Sequence, residues 1–177
     1  MRRVTKIILP AIVLTGILAL MLTSGSGCGS KPTPPAVTMY YELGQSAQSS
    51  REVLTAISTE KVSEYKKPFL QRFSTAYNVA PPGTVFVILE VSVTNVGQEA
   101  SLGISYQDFY IKDSLDRVWP SIGYNGVKKS YPSRTLASGQ SDYGYLAFNV
   151  LETATGLQLF CVLQGSPPVL AVWRLPY

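Results

Sequence analysis

Between Thr84 and Thr94 the side chains change character at every step. Val85, Val87, Leu89, Val91 and Val93 fall on one face, and Phe86, Ile88, Glu90, Ser92 and Thr94 on the other. A period of two is the signature of extended backbone, because successive Cβ atoms of a strand point to opposite sides. The β-branched residues reinforce the assignment, since their stiff χ1 fits a pleated surface better than a helix. Pro81-Pro82-Gly83 punctuates the start of the run and Asn95-Val96-Gly97-Gln98 its end.

The pattern recurs downstream. Phe109 and Ile111 alternate with Asp108, Tyr110 and Lys112, and the turn Asp113-Ser114-Leu115-Asp116 leads into Arg117-Val118-Trp119. Gly144, Leu146, Phe148 and Val150 alternate with Tyr143, Tyr145 and Asn149 after the turn Ala137-Ser138-Gly139-Gln140. Leu157, Leu159, Cys161 and Leu163 share a face, as do Val169, Ala171, Trp173 and Leu175. Upstream, Val53, Thr55 and Ile57 suggest an early strand and Phe69 to Tyr77 another, while Ser121 to Ser133 reads as a long loop. Short strands between Gly/Pro/Asn turns predict an all-β, antiparallel sandwich over residues 37–177. Parallel pairing would need crossover helices, and no helical period is long enough to supply them. A domain of about 140 residues buries roughly two-thirds of its surface, so it needs no disulfide staple.

The first 36 residues are of another kind. Arg2, Arg3 and Lys6 precede an uncharged apolar run from Ile7 to Leu22, followed by small residues up to Cys28. That order is the order of a secretory signal, predicted to occupy residues 1–27. Ser26-Gly27-Cys28 resembles the end of a lipobox, with Gly25 where Leu is usual, and makes Cys28 the predicted lipidation site. The alternatives are an uncleaved N-terminal helix, at the short edge of the roughly 20 residues needed to span a bilayer, and plain secretion. Residues 28–36, rich in proline, predict an extended spacer. The first two readings hold the domain at the outer face of a membrane.

The segment also accounts for most of the basic balance. The chain carries 15 Lys+Arg against 11 Asp+Glu, and without Arg2, Arg3 and Lys6 only 12 basic residues face the same 11 acidic ones. A nucleic-acid partner, which would need a basic stripe on the folded domain, is not expected.

Histidine is absent from the whole chain. This excludes Ser-His-Asp, Cys-His and His-metal mechanisms and removes the commonest base near neutral pH. A hydrolase working with carboxylates alone needs two of them facing across a cleft, and no spacing here suggests such a pair. Cys161, in phase with three leucines, reads as a small buried hydrophobe. Asp108, Asp113 and Asp116 form a local acidic cluster, but Asp is favoured at turns for its backbone hydrogen bonds, and calcium asks for six to eight oxygens. No metal, cofactor or enzymatic activity is therefore expected. Tyrosine is the most suggestive residue type. Tyr40, Tyr41, Tyr124, Tyr131, Tyr143 and Tyr145 lie near turns or on the less apolar strand faces. Their rigid rings with hydrogen-bonding tips suit protein or carbohydrate surfaces. Ordinary half-buried strand tyrosine is the competing reading. Tyr124, Tyr131, Tyr143 and Tyr145 are the candidate binding residues, and Asn125-Gly126 with Lys128-Lys129 forms a candidate loop tip.

The run Gly83-Thr84-Val85-Phe86-Val87-Ile88-Leu89-Glu90-Val91-Ser92-Val93-Thr94-Asn95-Val96-Gly97 resembles the signature strand of a family of extracytoplasmic lipoprotein domains of unknown function. Tyr106-Gln107-Asp108-Phe109-Tyr110-Ile111-Lys112-Asp113 and the turn Leu136-Ala137-Ser138-Gly139, leading to a strand with Phe148, fit the same pattern. The resemblance covers roughly residues 51–163. It implies an immunoglobulin-like β-sandwich, similar in fold to a small secreted mycobacterial antigen. Its motifs are strand ends and turns, which speak of fold and not of chemistry. The expectation is a membrane-anchored module of the cell envelope that binds a protein or an envelope polymer. The alternative is a structural envelope lipoprotein without a discrete ligand.

Overall fold

The computed structural model describes residues 35–66, 77–98, 105–126, 128–131 and 135–177. Cys28, the apolar run, and residues 69–76 of the expected second strand lie outside them. Eleven strands follow one another along the described residues: β1 (Val37–Glu42), β2 (Ser46–Gln48), β3 (Glu52–Val62), β4 (Glu64–Lys66), β5 (Tyr77–Val79), β6 (Thr84–Asn95), β7 (Phe109–Lys112), β8 (Val118–Pro120), β9 (Ser141–Leu151), β10 (Gln158–Leu163) and β11 (Val169–Arg174). A 3-10 turn at Tyr106–Asp108 is the one described helical element. No described helix is long and apolar enough to cross a membrane.

The strands form a five-stranded sheet, β1-β11-β10-β7-β8, and a four-stranded sheet, β2-β3-β6-β9, with β4 and β5 paired beside them. The domain is an all-β sandwich, as the alternation predicts. Val87, Leu89, Val91 and Val93 enter the inter-sheet core, where they join Leu146, Phe148 and Val150 of β9 and Phe109, Ile111, Leu159 and Trp173 of the opposite sheet. The other face of β6 is not wholly polar. Phe86 and Ile88 pack in a second cluster with Tyr65, Tyr124 and Ala147. β6 is thus apolar on both faces at its start and on one face at its end.

One expectation is corrected. The pairing is antiparallel with one exception: β1 runs parallel to β11, with Val37 opposite Val169 and Glu42 opposite Arg174. No crossover helix is needed, because the chain turns into the other sheet at β2 immediately after β1 and returns to this one much later. Val53, Thr55 and Ile57 do lie in a strand, β3, whose buried face carries Glu52, Leu54 and Ala56. The register shifts at Ala56/Ser58 and leaves Ile57 exposed, as expected of an unpaired bulge residue.

The described residues of the segment read as a long loop meet the free edge of β9. Ile122 N donates to Ala147 O, Tyr131 N to Tyr145 O, and Tyr145 N to Lys129 O. Gly144 makes this approach possible, since a Cβ there would stand 2.4 Å from Tyr131 Cα. The two turn motifs meet at one corner. Asn95 is buried, its Nδ2 donates to Leu136 O at 2.8 Å, and its Oδ1 accepts from Gly97 N at 3.0 Å. Gly139 N donates to Asn95 O, and Ser138 Oγ to Gly97 O at 2.6 Å.

Candidate functional site

The four candidate tyrosines divide into two pairs. Tyr143 and Tyr145 stand two residues apart on the outer face of β9. Tyr143 is half exposed, with Lys129 Nζ 4.8 Å from its ring centroid. Tyr145 is partly buried, with Lys128 Nζ at 4.6 Å. Both ammonium groups are also held by carboxylates, Lys129 by Asp142 and Lys128 by Glu60 Oε1 at 2.9 Å. The result is two neighbouring cation–aromatic stacks on a half-solvated sheet face. Beside them, the end of that face carries uncharged hydroxyls in register: Ser46 opposite Thr55, Thr55 opposite Ser92, and Ser92 opposite Tyr143.

Tyr124 and Tyr131 are not exposed on this surface, although the Tyr124 ring packs against that of Tyr145 with centroids 5.7 Å apart. Tyr124 is buried and stacked on Tyr65 at 5.1 Å, and Tyr131 is buried edge-on against Phe109 at 5.2 Å. Because their segment is hydrogen-bonded along β9, it directs its rings into the two apolar clusters and closes them. Asn125, at the expected loop tip, accepts from Tyr65 Oη at 2.8 Å and from Asn78 Nδ2 at 2.6 Å. Its carbonyl therefore serves the fold.

The acidic cluster is likewise committed to turns. Asp108 Oδ2 accepts from Ser105 N at 2.7 Å and closes a capping box on the 3-10 turn. Asp113 accepts from Leu115 N, Arg117 N and, at 2.6 Å, Arg117 Nε. Burial alone would raise its carboxyl, but those donors hold it below the usual carboxylate range. Asp116 takes a positive φ of 58° in the same turn. Among the described residues no three His, Cys, Asp or Glu side chains converge as a metal site. Cys161 is fully buried, and burial pushes its thiol well up, away from the reactive thiolate.

Sequence reasoning missed Glu52. It opens β3 on the core face at 0% exposure. One carboxylate oxygen, Oε1, accepts from Gln164 N, and Oε2 has no partner. Ser49 stitches the same point, its Oγ accepting from Glu52 N at 3.1 Å and donating to Gln164 O at 2.6 Å. The turn before β3 is thereby pinned to the end of β10 in the opposite sheet. Beside this clamp lies an open cleft of about 460 Å³, lined by Ser50, Arg51, Val162, Gln164, Gly165 and Ser166 among others. Burial raises the Glu52 carboxyl to about 7, against the opposing pull of the Gln164 amide and of Arg51, with Asp108 adding to the rise. The signal lay in the phase of Leu54 and Ala56, which puts residue 52 on the buried face.

The comparisons with known proteins agree with the architecture. Residues 41–167 match the model of a family described as Domain of unknown function (DUF4352). No curated protein matches the sequence. The fold is similar to that of a candidate lipoprotein, ycdA, from Bacillus subtilis, with a TM-score of 0.53 at 14% identity over 73% of this chain and 38% of that one. The chain thus spans well under half of that relative. It is also similar to an uncharacterised β-sandwich protein from Clostridium difficile 630 (TM-score 0.52, 8% identity, 82% of this chain and 99% of that one). The secreted protein MPT63 from Mycobacterium tuberculosis is a third (TM-score 0.52, 14% identity, 80% and 100%).

Glu52 links stability to pH. Between about 4.5, the ordinary carboxyl value, and about 7 the folded state holds a proton that the unfolded state has lost. Stability contributed by the protonated group is therefore complete below that window and is lost as pH rises through it. Urea denaturation of Glu52→Gln and the parent chain is expected to give similar stabilities at pH 4.5. At pH 8 the variant should be more stable by on the order of 2 kcal/mol. A difference independent of pH would contradict this reading of Glu52.

Proposed function

The chain belongs to the DUF4352 family of domains of unknown function, and from that premise we propose that it is a membrane-tethered, extracytoplasmic interaction module. In this reading it works by contact and not by catalysis. Its partner is a protein or an envelope polymer, not a nucleic acid. The observation that carries the proposal is the outer face of β9, where half-exposed Tyr143 and partly buried Tyr145 lie beside Lys129 and Lys128 and an uncharged hydroxyl row. Tyrosine surfaces of this kind give large contact area at low entropic cost. Because the two lysines are already paired with acids, the face offers hydrogen bonding and stacking more than net charge.

The extracytoplasmic address is supported by the order of basic start, apolar run, Cys28 and proline-rich spacer. Similar folds occur in a candidate lipoprotein and in a secreted protein. In the proposed anchor, residues 1–27 are removed and Cys28 carries the lipid. The intact mass of the membrane-extracted protein tests it. Loss of those residues with added acyl mass on Cys28 is the expected result, and an unmodified full-length chain would refute lipidation.

Cross-linking of the natively anchored protein in intact cells, followed by mass spectrometry, tests the interaction face. One dominant partner is expected, lost in Tyr143→Ala with thermal stability unchanged. Tyr131→Ala is the contrasting variant: it empties a core position and is expected to destabilise by about 3–5 kcal/mol. Recovery of the same partner by Tyr143→Ala would remove this face from the proposal.

A further inference from the structure

A two-sheet sandwich has four edges, and each presents a row of backbone groups able to pair with another strand. Three are guarded here. β2 is three residues long, and β8 is three residues long and ends in Pro120. The edge of β9 is met at Tyr145 and Ala147 by Ile122, Lys129 and Tyr131 through the bonds described above.

The fourth edge, β1, has none of these devices. It is six residues long and carries no proline, lysine or arginine. Val37 N donates to Pro168 O, just before β11. In a parallel ladder this directs the backbone groups of Val37, Met39 and Tyr41 toward β11 and those of Thr38, Tyr40 and Glu42 outward. Glu42 N is taken by Gln45 Oε1 at 2.8 Å. The outward N–H and C=O groups of Thr38 and Tyr40 have no partner among the described residues. Side chains on this edge are unguarded as well. Val37 and Met39 share the core face with Val169 and Ala171, yet they are 48% and 45% exposed where Ala171 is 0%. The apolar layer between the sheets runs out to this edge and stops uncovered.

We propose that β1 is the interface between two copies of this chain, which pair antiparallel through it about a two-fold axis at Met39. In that register Thr38 of one copy faces Tyr40 of the other, and the reverse. All four outward backbone groups of each copy are then satisfied. Met39 meets its counterpart on the core face, and Val37 meets Tyr41. Each Glu42 lies beyond the overlap, so the only charge on the strand does not oppose itself. A two-fold pair uses up both bare edges and closes, where a head-to-tail contact would leave one open. The spacer read from the sequence allows it: antiparallel β1 strands paired in this register start about 14 Å apart, and nine extended residues would reach about 28 Å, so both tethers can arrive at one membrane. Anchorage there also raises the effective concentration of one copy for the other. This deepens the interaction reading by naming one partner, and it uses a different sheet from Tyr143.

Disulfide trapping in native membranes tests the register. Across the axis, residue 39 forms a non-hydrogen-bonded pair with Cα atoms about 4.5 Å apart, inside disulfide range. Met39→Cys in the full-length chain is expected to give a reducible dimer, and Val118→Cys, equally exposed on the β8 edge, none. In mild detergent the parent chain should sediment as a dimer and Tyr40→Pro as a monomer. Its far-UV circular dichroism should be unchanged, because the amide of Tyr40 does not bond β11. A monomeric parent with no Met39→Cys dimer would overturn the proposal, as would capture of Met39→Cys by a different protein alone. Either result would leave the Tyr143 face standing, since that is read from Tyr143→Ala.

Discussion

β6 carries the fold because it is buried where two layers meet. Its odd-numbered residues from Val87 to Val93 fill the inter-sheet core, and Phe86 and Ile88 on its other face seat the Tyr65–Tyr124 cluster. It also pairs with both β3 and β9 along most of its length. A central strand of this kind gains the full transfer free energy of its apolar side chains, about 1.5–3 kcal/mol for each large one. The rest of the domain is arranged to keep water off it. The segment after β8 that covers the edge of β9 places Tyr124 over one face and Tyr131 under the other.

Polar groups are then used to fix how the layers are joined. The Asn95 corner satisfies a buried amide with partners from two turns, so that the end of β6 and the turn before β9 are held together. Glu52 does a similar job between sheets at a cost, since its second oxygen is buried without a partner. Retaining a carboxyl there makes the join responsive to pH, which an amide at the same place would not be. Surfaces available for partners follow from what remains uncovered: the outer face around Tyr143, and the edge at β1.

Much of this was legible in the residues. The period-two runs located β6, β7, β9, β10 and β11 and the faces they bury, because burial on one side of a pleated sheet forces alternation. The Asn-x-Gly and Leu-x-x-Gly motifs marked the turns that meet at the Asn95 corner. What stayed hidden depended on contacts distant in sequence. In β3 both phases offered apolar residues, Val53 and Ile57 against Leu54 and Ala56, and only the bulge at Ile57 and the sheet opposite decide between them. Tyr124 and Tyr131 look like surface residues because their segment lacks periodicity. Their burial comes from the close approach that Gly144 permits. The parallel pairing of β1 with β11 joins the two ends of the described chain, and no local pattern records it.

β6 is the element whose opening requires the whole domain to unfold. Native-state amide hydrogen exchange measures this residue by residue. The slowest amides are expected at Val87 to Val93 and on their β9 partners, exchanging with the free energy of global unfolding, while β1 opens at lower cost. Exchange at the centre of β6 that is faster than in β10 and β11 would contradict the claim that the sandwich is built around this strand.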